Sequence, residues 1–278
     1  MTQAQLAPIL MLVSGFCHAI VNAILKAGKD KMSSRALIDG FSALMMVPVI
    51  FFVPLPAHAW GWLFASWLVH LVYLVSLVKA FETLDMTVAY PIARGLAPVL
   101  AAAAAVVFFR EPITPAIIAG IFFVSLGVMA IGFHPHLSRR ALGWSGLTGV
   151  TIALYTVIDA QGVRAAPTAA SYIAWTFLFL GAGIGLLFAL WRGKVFYAEA
   201  MAQWKPGLTA GALSIATYGL ALLALRWGAV PRLAALRETS IVFATVIAVL
   251  FLGEHVNLQR GLGVACVAAG AMWLLVTG

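Results

Sequence analysis

Ten stretches of roughly twenty residues, nearly free of charge and separated by short polar or proline-containing breaks, run the length of this chain: residues 6–27, 35–53, 60–81, 86–109, 114–133, 143–162, 168–191, 205–228, 230–252 and 258–276. A helix needs about 20 apolar residues to cross a hydrocarbon core about 30 Å thick. Lipid offers no partner to a free backbone N–H or C=O, so such stretches fold as helices. Only 9% of the 278 residues are charged and 63% are apolar, against about 25% and about 45–50% in a soluble domain. A chain so poor in charge cannot cover its own surface in water. That excludes a soluble enzyme, a nucleic-acid-binding module and a disordered regulator. The expected fold is an all-α integral membrane protein of ten transmembrane helices with no soluble domain.

The remaining features agree with that class. The net charge of +8 suits basic residues that flank membrane helices and meet anionic headgroups, so membrane lipids are the expected partner and nucleic acid is not. Cys17 and Cys266 sit alone inside apolar runs and read as small core residues, not as a disulfide or metal site. His134 and His136, in the longest break (His134 to Arg140), read as solvated. No G-x-x-x-x-G-K-[ST], H-E-x-x-H or G-x-S-x-G motif is present, so neither a nucleotide motor nor an enzyme is expected, and no cofactor is called for. The N-terminus lacks a basic n-region and reads as a first span. Pro54-Leu55-Pro56 breaks what would otherwise be one very long run.

The chain also repeats itself. At an offset of 143 residues Arg94 meets Arg237, Glu111 meets Glu254, Gly120 meets Gly263 and Gly127 meets Gly270; at 134, Gly15 meets Gly149 and Gly28 meets Gly162. The expected units are residues 1–135 and 141–278. Each holds five spans, an odd number, so the second copy should insert upside down relative to the first, with a site between them.

Each half closes with a short acidic turn before a glycine-rich last helix: Phe109-Arg110-Glu111-Pro112-Ile113-Thr114 and Leu252-Gly253-Glu254-His255-Val256-Asn257. In this the chain resembles the drug/metabolite transporter superfamily, EamA-type, over nearly its whole length. The family's turn is Gly-Glu; the second copy has it, and the first has Arg110 in place of the glycine. The resemblance implies a secondary transporter or exporter of small metabolites with a central cavity between the halves. It also implies cytoplasmic termini, whereas Lys and Arg crowd the loops on the opposite side and the positive-inside rule places the termini outside.

Ionisable groups deep in a membrane are expensive and usually functional. Arg94 and Arg237 lie about nine and about eight residues into their spans, roughly 12 Å deep at 1.5 Å per residue. A guanidinium fork suits bidentate capture of a carboxylate, phosphate or phosphonate. The alternative is that the arginines pair internally, Arg237 with Glu238 or Asp159. Glu238 is open to three roles: a substrate ammonium, a coupling proton, or neutralising Arg94 across the interface. Ser14, His18, Asn22 and Lys26 form one polar stripe on the first span, and Thr148, Thr151, Tyr155 and Asp159 form a second on the sixth. His70, Tyr73, Tyr90 and Tyr218 add hydrogen-bonding rings. Candidate solute-binding residues are therefore Arg94, Arg237, Glu238, Tyr90, His18, Asn22, His70, Tyr73, Tyr155 and Tyr218, with Glu238 and Asp159 as coupling candidates. Taking Glu238 as the one acid placed mid-span leaves one positive charge over, for which an anionic solute is the simplest partner.

The expected function is secondary transport of a small anionic metabolite by alternating access, in a monomer or homodimer of a bacterial inner membrane. The competing readings are an amino-acid or amphipathic-drug exporter selected by Glu238, a flippase gripping a lipid phosphate, and a non-transporting membrane scaffold.

Overall fold

A computed structural model describes residues 2–27, 31–83, 86–132, 138–253 and 255–277. Twelve α-helices build it: α1 (Gln3–Ala27), α2 (Lys31–Met46), α3 (Trp60–Thr83), α4 (Met86–Phe109), α5 (Pro115–Ile131), α6 (Arg139–Ala165), α7 (Ala169–Leu180), α8 (Leu186–Arg192), α9 (Lys194–Trp227), α10 (Val230–Leu236), α11 (Ser240–Leu252) and α12 (Leu258–Thr277). Among the described residues there is no strand. Among the described residues nine helical segments are long and apolar enough to cross a membrane, and α5 is a shorter apolar helix of 17 residues. The chain is an all-α membrane protein.

Local sequence accounts for the boundaries. Thr114, Ser138 and Thr168 cap α5, α6 and α7, their hydroxyls accepting from Ile117, Ala141 and Ser171 N–H, and so satisfy donors that a helix start leaves open. Three boundaries differ from expectation. Arg139 and Arg140 belong to α6 and not to the preceding loop, because Ser138 starts the helix there. The α-helix of the second span stops at Met46, ahead of Pro48, and a 3-10 turn, Val49–Phe51, completes the span. The eighth reaches back before Lys205, with a kink at Gln203. Two spans are also interrupted. A π-helical turn, Gly181–Gly185, separates α7 from α8, and a 3-10 turn, Arg237–Thr239, separates α10 from α11.

Glycines set the closest helix crossings. A Cβ on Gly127 of α5 would lie 2.7 Å from the Gly263 carbonyl of α12, and one on Gly263 would lie 2.7 Å from the Gly127 carbonyl. Gly120 faces Leu274 and Gly270 faces Val124 across the same pair, so the glycines that coincide at 143 residues are the ones that bring α5 and α12 together. Elsewhere α1 packs on α9 and on the α10–α11 span, while α6 packs on α3 and α4. Gly15 of α1 abuts Thr239 and Ser240, and Gly149 of α6 abuts Ala93. Backbone-close contact therefore supports both segments that carry the buried arginines.

Candidate functional site

Arg94 and Arg237 come from α4 and from the 3-10 turn of the ninth span, and they are 3% and 8% exposed. Their surroundings differ. Arg94 Nε lies 2.8 Å from Glu238 Oε2 in an ion pair angled away from hydrogen-bond geometry. Its Nη2 donates to Ser240 Oγ at 3.0 Å, and its guanidinium lies 5.7 Å from the Tyr90 ring centre. Tyr90 in turn meets His18 Nε2 of α1 at 3.4 Å. Arg94 is thus held by three groups, two of them in the other half of the chain. Glu238 pairs with Arg94 and not with its neighbour Arg237. Successive positions of a helical turn point about 100° apart.

Arg237 sits with its guanidinium 5.1 Å from the centre of the Tyr218 ring, and among the described residues its Nε has no hydrogen-bond acceptor. Tyr218 donates its hydroxyl to Asp159 Oδ2 in a very short hydrogen bond. Tyr172 donates to Asp159 Oδ1 at 2.7 Å. Asp159 is fully buried.

Around this pair lies an aromatic wall. His70 stacks on Tyr155 with ring centres 4.1 Å apart; Tyr73 meets Tyr155 edge-on at 5.6 Å, and Tyr218 lies 6.1 Å from His70. His70 Nδ1 donates to the Ser66 carbonyl at 2.9 Å. Of the candidate residues, Arg94, Glu238, Tyr90 and His18 form one cluster. Arg237, Tyr218 and Asp159 form a second, against His70, Tyr155 and Tyr73. Asn22 is half-buried and belongs to neither.

The polar stripes behave mostly as helix glue. Ser14 donates to the Thr217 carbonyl and Thr148 to Ser76, while Thr151 bonds back to its own helix. The Lys26 side chain, His134, His136 and Glu254 lie outside the described residues.

Sequence reasoning missed several members. Tyr172 and Ser240 complete the two clusters, with no signal in spacing to mark them. Arg35 and Asp39, one turn apart on α2, pair at 2.8 Å with Asp39 5% exposed; their i, i+4 spacing was the available signal. The expectation of a single mid-span acid is therefore corrected. Asp39 and Asp159 are buried as well, so Glu238 is not the lone acid available to offset the buried arginines.

A second polar assembly closes one end of the molecule, where α4, α6 and α9 finish. Glu111 Oε1 accepts from Arg164 Nη1 at 2.5 Å, and its Oε2 accepts from Val230 N–H at 2.7 Å. The carboxylate thereby caps α10 from across the chain and meets its positive end. Arg164 also donates to the Leu225 and Gly228 carbonyls, while Arg226 donates to those of Val163, Ala166 and Pro167. Each arginine thus grips the end of the other's helix. Beside this clasp, Arg110 adopts φ +52°, and the matching residue of the second turn, Gly253, adopts φ +64°. The turn is kept in both copies even where glycine is not.

Comparison with known proteins follows the same lines. Residues 140–276 match the EamA-like transporter family. An uncharacterised transporter encoded in the region 3′ of cobO in Sinorhizobium sp. is 46% identical over 70 residues, 25% of this chain and 47% of that protein. The chain thus spans about half the length of that relative. A solved structure described as "Crystal structure of protein" superposes with a TM-score of 0.75, covering 100% of this chain and 99% of its own at 16% identity, which speaks for the fold alone. Through its transmembrane helices, the family match over residues 140–276 and the transporter relative, the chain is similar to the EamA-like transporters.

Proposed function

We propose that this membrane transporter carries a small organic solute bearing a carboxylate, phosphate or phosphonate, and that Arg237 is the group that holds it. The observation behind this reading is the contrast between two buried guanidiniums. Arg94 is ion-paired with Glu238 and hydrogen-bonded to Ser240, whereas Arg237 lies against the face of Tyr218 with no carboxylate within ion-pair distance among the described residues. A permanent cation so placed is costly in a membrane, and a bidentate anion supplies the missing acceptors. Its position in a 3-10 break of the ninth span supports the reading, since transporter sites are typically built on discontinuous helices.

The mechanism is alternating access between residues 1–135 and 141–278, related as inverted repeats. Support comes from the glycine pairs and from the packing of α1 on α9 and the ninth span, which parallels that of α6 on α3 and α4. A bacterial inner membrane is the proposed location. Exporter selection by Glu238 loses support because Arg94 occupies that carboxylate. A cleft of about 480 Å³ beside Trp67, Trp175 and Phe179 carries no cation, so it offers no grip for a lipid phosphate.

The test is thermal-shift screening of the purified protein against carboxylates, phosphate esters, phosphonates and their uncharged analogues, since a ligand of the folded form stabilises it. Arg237→Lys is expected to lose most of the shift while the ligand-free melting temperature stays within a few degrees. A full shift in Arg237→Lys and Arg237→Met overturns the assignment.

A further inference from the structure

Five acidic side chains are described, and four of them lie against a cation: Asp39 with Arg35, Glu82 with Lys79, Glu111 with Arg164 and Glu238 with Arg94. Asp159 alone does not. It is fully buried in α6, and its partners are two neutral hydroxyls, Tyr172 and Tyr218. Arg237 is its counterpart, a buried guanidinium with no carboxylate within ion-pair distance among the described residues. The two unpaired charges share one residue: Tyr218 gives its hydroxyl to Asp159 and its ring face to Arg237.

We propose that Asp159 is a proton-binding site coupled through Tyr218 to the anion seat at Arg237, so that solute and proton bind together. The inference rests on the Arg237 reading for its coupling, though not for the proton site. The argument is one of charge balance. With no solute, Arg237 and Asp159 neutralise each other across the tyrosine ring. When an anion docks on Arg237, that balance is lost and Asp159 becomes an uncompensated buried carboxylate. A proton taken from water onto an Asp159 oxygen restores neutrality, and the carried unit crosses the membrane as anion plus proton. A protonated Asp159 donates where it formerly accepted, so one tyrosine hydroxyl must turn from donor to acceptor. Tyr218 is the one that also touches the anion seat.

Other ionisable groups surround the site. Tyr155 lies one turn away on α6, and His70 reaches it from α3. Tyr172 and Tyr218 come from α7 and α9, while α4, packed on α6, carries Arg94 and Tyr90. His58, in the 3-10 turn at Ala57–Ala59 that touches α6, is exposed. His70 is the nearest rival for the proton.

The proton site is tested by infrared difference spectroscopy of the protein in liposomes at one fixed pH, with and without the carboxylate, phosphate ester or phosphonate that stabilises it. A protonated-carboxyl band should appear in the wild type and vanish in Asp159→Asn. It should persist in His70→Asn and weaken in Tyr218→Phe, which removes the hydroxyl that joins Asp159 to the anion seat. Identical spectra for wild type and Asp159→Asn overturn the site. So does proton uptake that survives Asp159→Asn and disappears in His70→Asn.

Coupling is tested by calorimetry in two buffers of different ionisation heat, using whichever carboxylate, phosphate ester or phosphonate stabilises the protein. About one proton should enter per solute, and affinity should fall about tenfold per pH unit where Asp159 is ionised, as linkage requires. Asp159→Asn should bind with no pH dependence. Unchanged proton uptake in Asp159→Asn overturns the coupling. Were Arg237→Met to bind normally while the Asp159 band remained, the anion seat would be refuted and the proton site retained.

Discussion

Replacing Glu238 with Gln should destabilise the protein by about 3–5 kcal/mol, the cost of removing one partner from a buried ion pair. The structure sets this scale. Arg94 and Glu238 side chains are 4% and 3% exposed with charged atoms 2.8 Å apart, and at an effective dielectric of about 20 two unit charges at that distance attract by about 6 kcal/mol. Glutamine keeps the volume and removes the charge, leaving Arg94 buried with only Ser240 and the Tyr90 face. The double variant Arg94→Met/Glu238→Leu removes both charges and should cost less than the sum of the single changes, giving a coupling of at least about 2 kcal/mol. The assay is reversible unfolding in mixed detergent–SDS micelles across the full double-mutant cycle, alongside the ligand shift. A loss under about 1 kcal/mol for Glu238→Gln, or strict additivity, would falsify the view that this pair clamps the two halves together.

Two further substitutions test the repeat. Arg110→Gly should stabilise the protein by about 0.5–1 kcal/mol in the same unfolding assay, since Arg110 holds φ +52° and a left-handed residue with a Cβ is strained there; a destabilised variant would show that the Arg110 side chain matters more than its backbone. Gly127→Ala should destabilise by about 1–3 kcal/mol, the range for overpacking, because its Cβ would lie 2.7 Å from the Gly263 carbonyl; unchanged melting would mean that α5 and α12 are free to move apart.

The candidate site was legible as a list and not as a network. Depth along an apolar run singled out Arg94, Arg237 and Glu238, and four-residue spacing singled out Asp159 and Tyr155. Which guanidinium would be satisfied was not legible. Arg94 reaches Ser240 across 146 residues of chain, and Tyr172 reaches Asp159 from the next span. Sequence spacing carries no information about how far two helices are rotated against each other. Asp39 was overlooked because its span was cut at Arg35 as a boundary, when the two residues form a pair one turn apart.

The amino-acid sequence by itself determined the membrane class and the succession of spans, because each follows from local properties: the length of an apolar run and the position of a proline. Only the tertiary structure decided which arginine pairs with Glu238, the 3-10 break that carries Arg237, and the two tyrosine hydroxyls, with no cation within ion-pair distance among the described residues, that surround Asp159. Those outcomes depend on helix crossings, set by backbone contact at glycines such as Gly15 and Gly149, and on a rotation that selects one partner for each buried charge and leaves two without one.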